Sequence, residues 1–127
     1  MKEIYMELSI DTLQNLLQTA KKYVIVLKFT AKWCNPCKQI YSLVKTHFKE
    51  MPNNVLVFEL DIDDKKNIEL YSVFKSRRMI NGIPAILVFY GNVVRDHWYV
   101  PDLTVNSSNV PAINNLFAHV KEAAHKL

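Results

Sequence analysis

The feature that most constrains the fold is a Trp-Cys-Asn-Pro-Cys-Lys motif over residues 33–38, which holds both cysteines of the 127-residue chain. A strongly apolar, β-branched run over residues 23–29 precedes it, and residues 40–48 carry apolar side chains at helical spacing. The pair therefore lies where a predicted strand turns into a predicted helix. Two intervening residues let both sulfurs join in one disulfide across the first helical turn, an arrangement typical of redox-active pairs.

The positions of the two cysteines predict different roles for them. Cys34 stands at the start of the predicted helix, where unpaired N–H groups and the positive end of the helix dipole favour thiolate over thiol. Pro36 suits this turn because an N–H there would be unpaired in any case. We expect Cys34 to be exposed and to attack a substrate disulfide. Cys37, one turn further on and more buried, should then resolve the mixed disulfide.

Two other roles for the cysteine pair fit the sequence less well. A zinc site needs four ligands, and the candidate histidines occur singly with no paired spacing, at His47, His97, His119 and His125. A structural disulfide across so short a loop would gain little from reduced chain entropy. Redox exchange is therefore favoured, and we expect neither a metal nor a cofactor.

Length and composition predict a single domain over residues 1–127. Half of the residues are apolar, enough for a hydrophobic core, and the net charge of +4 is too small and too dispersed to indicate nucleic-acid binding. Carboxylates interrupt the first seven residues, no apolar run reaches membrane-spanning length, and a lone dithiol fits a reducing compartment. We therefore expect a cytoplasmic monomer with no secretion signal and no membrane contact.

The apolar patterns predict five strands and four helices in a mixed α/β sheet. The first four strands are expected over residues 3–8, 23–30, 55–61 and 85–90. The helices should start near Asp11, after the cysteines, after Asp63 and Asp64, and at Pro111. Gly91 and Asn92 form a two-residue hairpin signal, which predicts an antiparallel strand over residues 93–100 and a loop over 101–109.

With these elements in place, the chain resembles the thioredoxin family over nearly its whole length. The matching segments are Phe-Thr-Ala-Lys-Trp-Cys-Asn-Pro-Cys-Lys over residues 29–38, Leu-Asp-Ile-Asp over 60–63, and Gly-Ile-Pro over 82–84. The resemblance implies a thioredoxin fold, an enzyme that reduces protein disulfides, and an electron donor such as a thioredoxin reductase. A binding module or complex subunit on the same fold, with incidental redox activity, is the alternative, because fold alone does not fix function.

The resemblance also implies a substrate groove beside the dithiol. It implies a cis bond between Ile83 and Pro84, which would leave the Ile83 backbone free to pair with an extended substrate. Asn35 replaces the usual glycine between the first cysteine and the proline, and Val100 takes the position of a groove-lining glycine. The expected substrate contacts are Trp33, Asn35, Pro36, Ile83, Pro84 and Val100.

One departure from the family pattern concerns a charged pair. Thioredoxins usually carry a buried Asp on the strand before the dithiol, near a Lys of the adjoining strand. Lys28 and Glu59 stand at these positions, so the pair is charge-reversed. Because an isolated Lys in a buried strand would be costly, we expect the two side chains to pair and Glu59 to accept the Cys37 proton. The alternative is that both reach solvent at the ends of the sheet.

Overall fold

Runs of β-branched and aromatic residues form a five-stranded mixed sheet, which four helices cover in the computed structural model of residues 1–127. The elements are β1 (Ile4–Tyr5), α1 (Ile10–Thr19), β2 (Val24–Thr30), α2 (Asn35–Glu50), β3 (Val55–Asp61), α3 (Lys65–Ser76), β4 (Ala85–Tyr90), β5 (Leu103–Val105) and α4 (Val110–His125). The strand order is β1-β3-β2-β4-β5. The first three strands are parallel, and β4 and β5 are antiparallel to their neighbours. The predicted fold class is confirmed.

Side-chain alternation along the central strand β2 divides the core into two layers. Ile25, Leu27 and Phe29 point to the layer that holds the apolar side chains of α1 and α3. Val24 and Val26 point to the layer that holds those of α2 and α4. Both layers are fully covered, as expected for parallel strands that are buried on both faces. None of the four helices has the length and apolar character needed to cross a membrane.

Polar side chains fix the starts of the helices. Ser9, not the Asp11 region, caps α1, because its hydroxyl accepts from the Thr12 N–H at 3.1 Å. Asp64 caps α3 by accepting from the Lys66 N–H at 2.9 Å, as its sequence position predicts. Both caps satisfy N–H groups that have no partner inside the helix.

The predicted strand over residues 93–100 is wrong, since the fifth strand is Leu103–Val105. Gly91 belongs to a close packing contact between loops. Its N–H donates to the Tyr23 carbonyl at 2.8 Å, and a Cβ at this position would clash with the Ala20 carbonyl oxygen. The glycine is therefore needed for this close backbone approach, and the chain leaves β4 in a wide loop instead of a two-residue turn.

A polar cluster then anchors the end of this wide loop beside β4. The Asp102 carboxylate accepts from the Tyr90 N–H at 2.7 Å and forms an ion pair with Arg95. The Asp102 N–H donates to the Val88 carbonyl at 2.8 Å, and β5 begins at the next residue. Because β5 runs antiparallel to β4, the residues before β5 lie near Tyr90, at the end of β4 that is far from Pro84. Val100 is therefore not at the predicted groove, and this assignment is corrected.

Candidate active site

The two cysteines lie at the N-terminus of α2, directly beyond the end of β2. Cys34 is the N-cap residue, and its sulfur accepts a hydrogen bond from the Cys37 N–H at 3.2 Å. The two sulfurs are joined in a disulfide, with the Cα atoms 5.2 Å apart. A sulfur that caps a helix interacts with the positive end of the helix dipole, and this favours the thiolate when the disulfide is reduced.

Both cysteines are buried in the disulfide form. Cys34 is 5 % exposed and Cys37 is 2 % exposed, so the expected exposure of Cys34 is not present. The reason is local packing, since the half-buried side chains of Ile62 and Ile83 cover the pair. Asn35 and Pro36, between the cysteines, are exposed.

Lys28 and Glu59 form the ion pair that the sequence predicts. They are directly opposite each other in the register of the parallel strands β2 and β3, which puts both side chains on the α2 side of the sheet. The Lys28 Nζ lies 2.9 Å from a Glu59 carboxylate oxygen, as an ion pair and not as a well-aligned hydrogen bond. The Lys28 side chain is fully buried, and that of Glu59 is 16 % exposed.

Tyr41 of α2 adds an aromatic ring to this pair. The Lys28 Nζ lies 5.2 Å from the centre of the ring, within range of a cation–π interaction. The Nζ of Lys45, one helical turn further on, lies 5.5 Å from the same centre and 3.4 Å from the Tyr41 hydroxyl. No sequence pattern pointed to Tyr41, although its position four residues after Cys37 puts both on one face of α2.

An open cavity of about 490 Å³ connects Glu59 of the ion pair with the second cysteine. Its lining includes Cys37, Tyr41 and Glu59. Burial raises the pKa of the Glu59 carboxyl, and the positive charges of Lys28 and Lys45 oppose that shift. The site therefore combines a carboxyl group of raised pKa with a thiol that must lose a proton during exchange.

The Ile83–Pro84 peptide bond is cis, as the resemblance implies. Ile83 packs against the cysteine pair, and Pro84 is buried at the start of β4. The Ile83 N–H and carbonyl have no hydrogen-bond partner within the chain. Asn106, which follows β5, donates to the Gly82 and Pro84 carbonyls at 2.8 and 2.9 Å.

Trp33 lies on the exposed surface next to the dithiol. Its side chain is 63 % exposed, and its indole Nε1 donates to the Asp63 carboxylate at 3.0 Å. This bond links the exposed ring to the turn that follows β3. No three His, Cys, Asp or Glu side chains lie close enough together to bind a metal ion.

Comparison with known proteins gives one consistent family. The sequence pattern of the thioredoxin family matches residues 5–101. Thioredoxin 1 of Chlorobaculum tepidum is 29% identical over 85 residues, which cover 67% of this chain and 77% of that protein. The thioredoxin of Buchnera aphidicola from Baizongia pistaciae is 32% identical over 89 residues, which cover 70% of this chain and 75% of that protein.

Solved thioredoxin structures share the fold. That of Fasciola hepatica superposes with a TM-score of 0.68 at 20% identity, covering 92% of this chain and 99% of its own. A mutant thioredoxin of Halobacterium salinarum gives a TM-score of 0.65 at 21% identity, with 94% and 91% covered. At these identities the likeness concerns the fold alone.

A sheet of this order with a cysteine pair at the start of α2 defines a thioredoxin-fold dithiol protein. The chain belongs to the thioredoxin family. With its Cys34–Cys37 pair it is a protein-disulfide oxidoreductase, and the family acts on disulfide substrates with a reductase as partner.

Proposed function

We propose that the reduced chain reduces protein disulfides in two exchange steps. The Cys34 thiolate attacks one sulfur of the substrate disulfide, forms a Cys34–substrate disulfide and expels the other substrate sulfur as a thiolate. Cys37 then loses its proton and attacks the Cys34 sulfur. This step breaks the mixed disulfide, releases the second substrate thiolate and forms the Cys34–Cys37 disulfide. Two electrons pass from the dithiol to the substrate.

The position of the dithiol on α2 is the observation that carries this proposal. Cys34 caps the helix, and its sulfur accepts from the Cys37 N–H at 3.2 Å. Such a bond favours a negatively charged sulfur at Cys34 over one at Cys37. The assignment of Cys34 as nucleophile and Cys37 as resolving thiol rests on this asymmetry, because the two residues are almost equally buried.

In this proposal Glu59 accepts the Cys37 proton, and Lys28 holds the Glu59 carboxylate in place. Glu59 and Cys37 line one cavity, so a proton can pass between them without crossing packed apolar side chains. Since burial raises the pKa of Glu59, the carboxylate is a stronger base than an exposed glutamate. The ion pair at 2.9 Å supports the role of Lys28.

The substrate is proposed to lie across the dithiol in an extended conformation. The unpaired N–H and carbonyl of Ile83 can bond to its backbone, and the exposed surfaces of Trp33, Asn35 and Pro36 can contact its side chains. Pro84 supports this groove from below, as a buried residue at the start of β4. Val100 has no part in the groove, because it lies at the other end of β4.

The finer expectations about partners and compartment are part of the proposal. A thioredoxin reductase or another thiol-based donor returns the disulfide to the dithiol, which gives the chain a place in electron transport. We propose a monomer that acts in the cytoplasm as one domain over residues 1–127, without binding nucleic acid or membranes. The small net charge of +4 and the lone dithiol support this proposal.

Serine substitutions at the two cysteines test the proposed roles. With dithiothreitol as donor and insulin as substrate, Cys34→Ser should abolish turnover because no nucleophile remains. Cys37→Ser should accumulate a covalent mixed disulfide with the substrate, detectable by mass spectrometry, because nothing resolves it.

The chain with both substitutions is the matched control, since it has no thiol and should do neither. Equal alkylation rates of Cys34 and Cys37 in the reduced protein, or mixed disulfides trapped by Cys34→Ser, would contradict the assigned roles. Absence of insulin reduction by the unsubstituted chain would favour a binding module.

A further inference from the structure

The Asn106 side chain bonds to the backbone on both sides of Ile83. Its Nδ2 donates to the Gly82 carbonyl at 2.8 Å and to the Pro84 carbonyl at 2.9 Å. Its Oδ1 accepts from the Asn81 N–H at 2.6 Å. Both amide hydrogens of the side chain are therefore used, and one acceptor position as well. One side chain thus ties together a four-residue segment over residues 81–84.

These bonds leave a specific pattern of free backbone groups. The Gly82 and Pro84 carbonyls and the Asn81 N–H are satisfied by Asn106, whereas the Ile83 N–H and carbonyl have no partner in the chain. Ile83 is also the residue of this segment that packs against the cysteine pair. The Gly82 N–H and the Asn81 carbonyl are also free, but only Ile83 places a free donor and a free acceptor on the residue that packs against the dithiol.

We propose that Asn106 is a positioning residue that selects extended polypeptide disulfides over small disulfides. This inference rests on the proposed function, in which the Ile83 backbone pairs with the substrate backbone. Asn106 fixes residues 81–84 before the substrate arrives, so binding does not have to order this segment and its entropic cost is smaller. It also keeps the Gly82 and Pro84 carbonyls from competing for the N–H groups of the substrate.

The position of Asn106 directly after β5 explains how its side chain reaches residues 81–84. The strand β5 pairs with β4 in a register that sets Val105 opposite Ile86. The side chain therefore reaches the start of β4 from a neighbouring strand, 22 to 25 residues away in sequence. A rigid sheet holds both partners, as a precise binding site requires.

The test compares two disulfides in single-turnover reactions of the pre-reduced protein. One substrate is an extended peptide pair joined by a disulfide, and the other is hydroxyethyl disulfide, which has no peptide groups. For Asn106→Ala, we expect the half-saturating peptide concentration to rise about tenfold through the loss of these hydrogen bonds, with the limiting rate changed by about twofold or less. The rate with hydroxyethyl disulfide should stay within about twofold, because this substrate has no backbone to pair.

Asn109→Ala is the matched control. Asn109 lies three residues further on and caps α4 by accepting from the Ala112 N–H at 2.9 Å, so its loss lowers stability without touching residues 81–84. Asn109→Ala should change neither the half-saturating peptide concentration nor the rate with hydroxyethyl disulfide, relative to the unsubstituted chain. Asn106→Asp keeps the size of the side chain and can accept from Asn81, but it cannot donate to the two carbonyls. It should resemble Asn106→Ala and serves as the test if the alanine variant does not fold.

The possible results separate the inference from the proposed function. Equal slowing of both substrates in the Asn106 variants, or an unchanged half-saturating peptide concentration, would overturn the positioning role while the oxidoreductase remains intact. If the unsubstituted chain reduces hydroxyethyl disulfide but not the peptide, the proposed reduction of protein disulfides fails, and the inference fails with it. Selective loss with the peptide supports both.

Discussion

The two faces of the sheet differ in the groups that they bury. The face under α1 and α3 holds a cluster of apolar and aromatic side chains, in which Phe74 lies 5.9 Å from both Phe29 and Phe89 by ring centres. The face under α2 and α4 has a similar apolar cluster, but at its dithiol end it also buries the Lys28–Glu59 ion pair. A fully buried charge, that of Lys28, lies only on the face that carries the dithiol, because the Arg95–Asp102 pair beside Phe89 on the other face keeps part of both side chains exposed.

This difference indicates what each face contributes. Apolar burial stabilises a fold at little risk, whereas a buried ion pair gains about as much from attraction as it loses in desolvation. A pair of this kind is weak evidence for a stabilising role, and its position beside the cavity of Cys37 gives it a chemical use. The face under α1 and α3 thus stabilises the sheet, whereas the ion pair on the α2 face serves the site and adds little net stability.

The largest expected effect comes from breaking the Lys28–Glu59 ion pair. Lys28→Met leaves the Glu59 carboxylate without its partner and should lower the free energy of unfolding by about 3–5 kcal/mol at pH 7. The loss should shrink at lower pH, because burial already raises the pKa of Glu59 and a protonated carboxyl needs no partner. Urea denaturation at several pH values measures both effects.

Two variants serve as controls for that prediction. The double variant Lys28→Met, Glu59→Gln should recover most of the loss, and additive effects would mean that the two side chains are not coupled. Phe74→Ala, on the other face, should also cost about 3–5 kcal/mol by leaving a cavity, but with no change between pH 5 and 8. A pH-dependent loss in Phe74→Ala would remove the contrast between the faces.

A smaller effect concerns the pH dependence of the unsubstituted chain. Because the pKa of Glu59 is raised in the folded state, its protonation stabilises the fold fully below the ordinary value of 4.5. That contribution is lost as pH rises through the raised pKa. The Glu59→Gln variant carries no titrating group at this position, so the difference isolates the Glu59 carboxyl. The unfolding free energy of the unsubstituted chain minus that of Glu59→Gln should fall as pH rises from 4.5 through the raised pKa of Glu59. The total change is about 1.4 kcal/mol for each unit between the folded and unfolded pKa values.

Glu50→Gln is the matched control, since Glu50 is exposed at the end of α2. Its difference from the unsubstituted chain should show no such fall. A difference for Glu59→Gln that rises with pH would mean that the ion pair outweighs burial in setting the pKa of Glu59.

Much of the fold follows from the sequence because the central strands are continuous apolar runs with turn residues at both ends. The bounds of β3 and β4 were predicted without error, over residues 55–61 and 85–90. The last strand was not, because the Gly91 signal belongs to a contact with Ala20 and Tyr23 on another part of the chain. A local pattern cannot report a partner some 70 residues away.

The candidate site divides in the same way. The cysteine motif and the Lys28–Glu59 contact could be predicted, the first from a local turn and the second from the charge-reversed family positions and the cost of an isolated buried Lys. Asn106 and Tyr41 could not, since an asparagine after a short strand and a tyrosine on a helix have many ordinary uses. Their importance depends on which backbone carbonyls and charges the folded chain brings to them.

The smallest expected effect tests whether the apolar face can be stabilised without changing the dithiol. The helix α3 on this face ends at Ser76, and Arg78, two residues later, has a φ of 62°, in the left-handed region that favours glycine. The next N–H, of Met79, donates back to the Phe74 carbonyl at 2.9 Å, which fixes this geometry. Arg78→Gly removes the steric cost of the Cβ in the folded state, which raises the unfolding free energy by about 1–2 kcal/mol. The greater chain entropy of glycine in the unfolded state lowers it by about 0.5–1 kcal/mol. A net gain of about 0.5–1 kcal/mol in unfolding free energy should result.

Arg77→Gly is the matched control for this last prediction, because it removes the same charge from the neighbouring position. Arg77 has an ordinary φ of −84° and places its guanidinium 5.1 Å from the centre of the Tyr99 ring. Its replacement should therefore lower stability by about 0.5–1 kcal/mol or more, through both backbone entropy and the lost cation–π contact. Neither variant touches the α2 face, so the alkylation rate of Cys34 in the reduced protein should stay the same in both. Equal stability changes at the two positions would show that charge, not backbone conformation, governs this end of α3, and a changed Cys34 rate would show that the two faces are coupled.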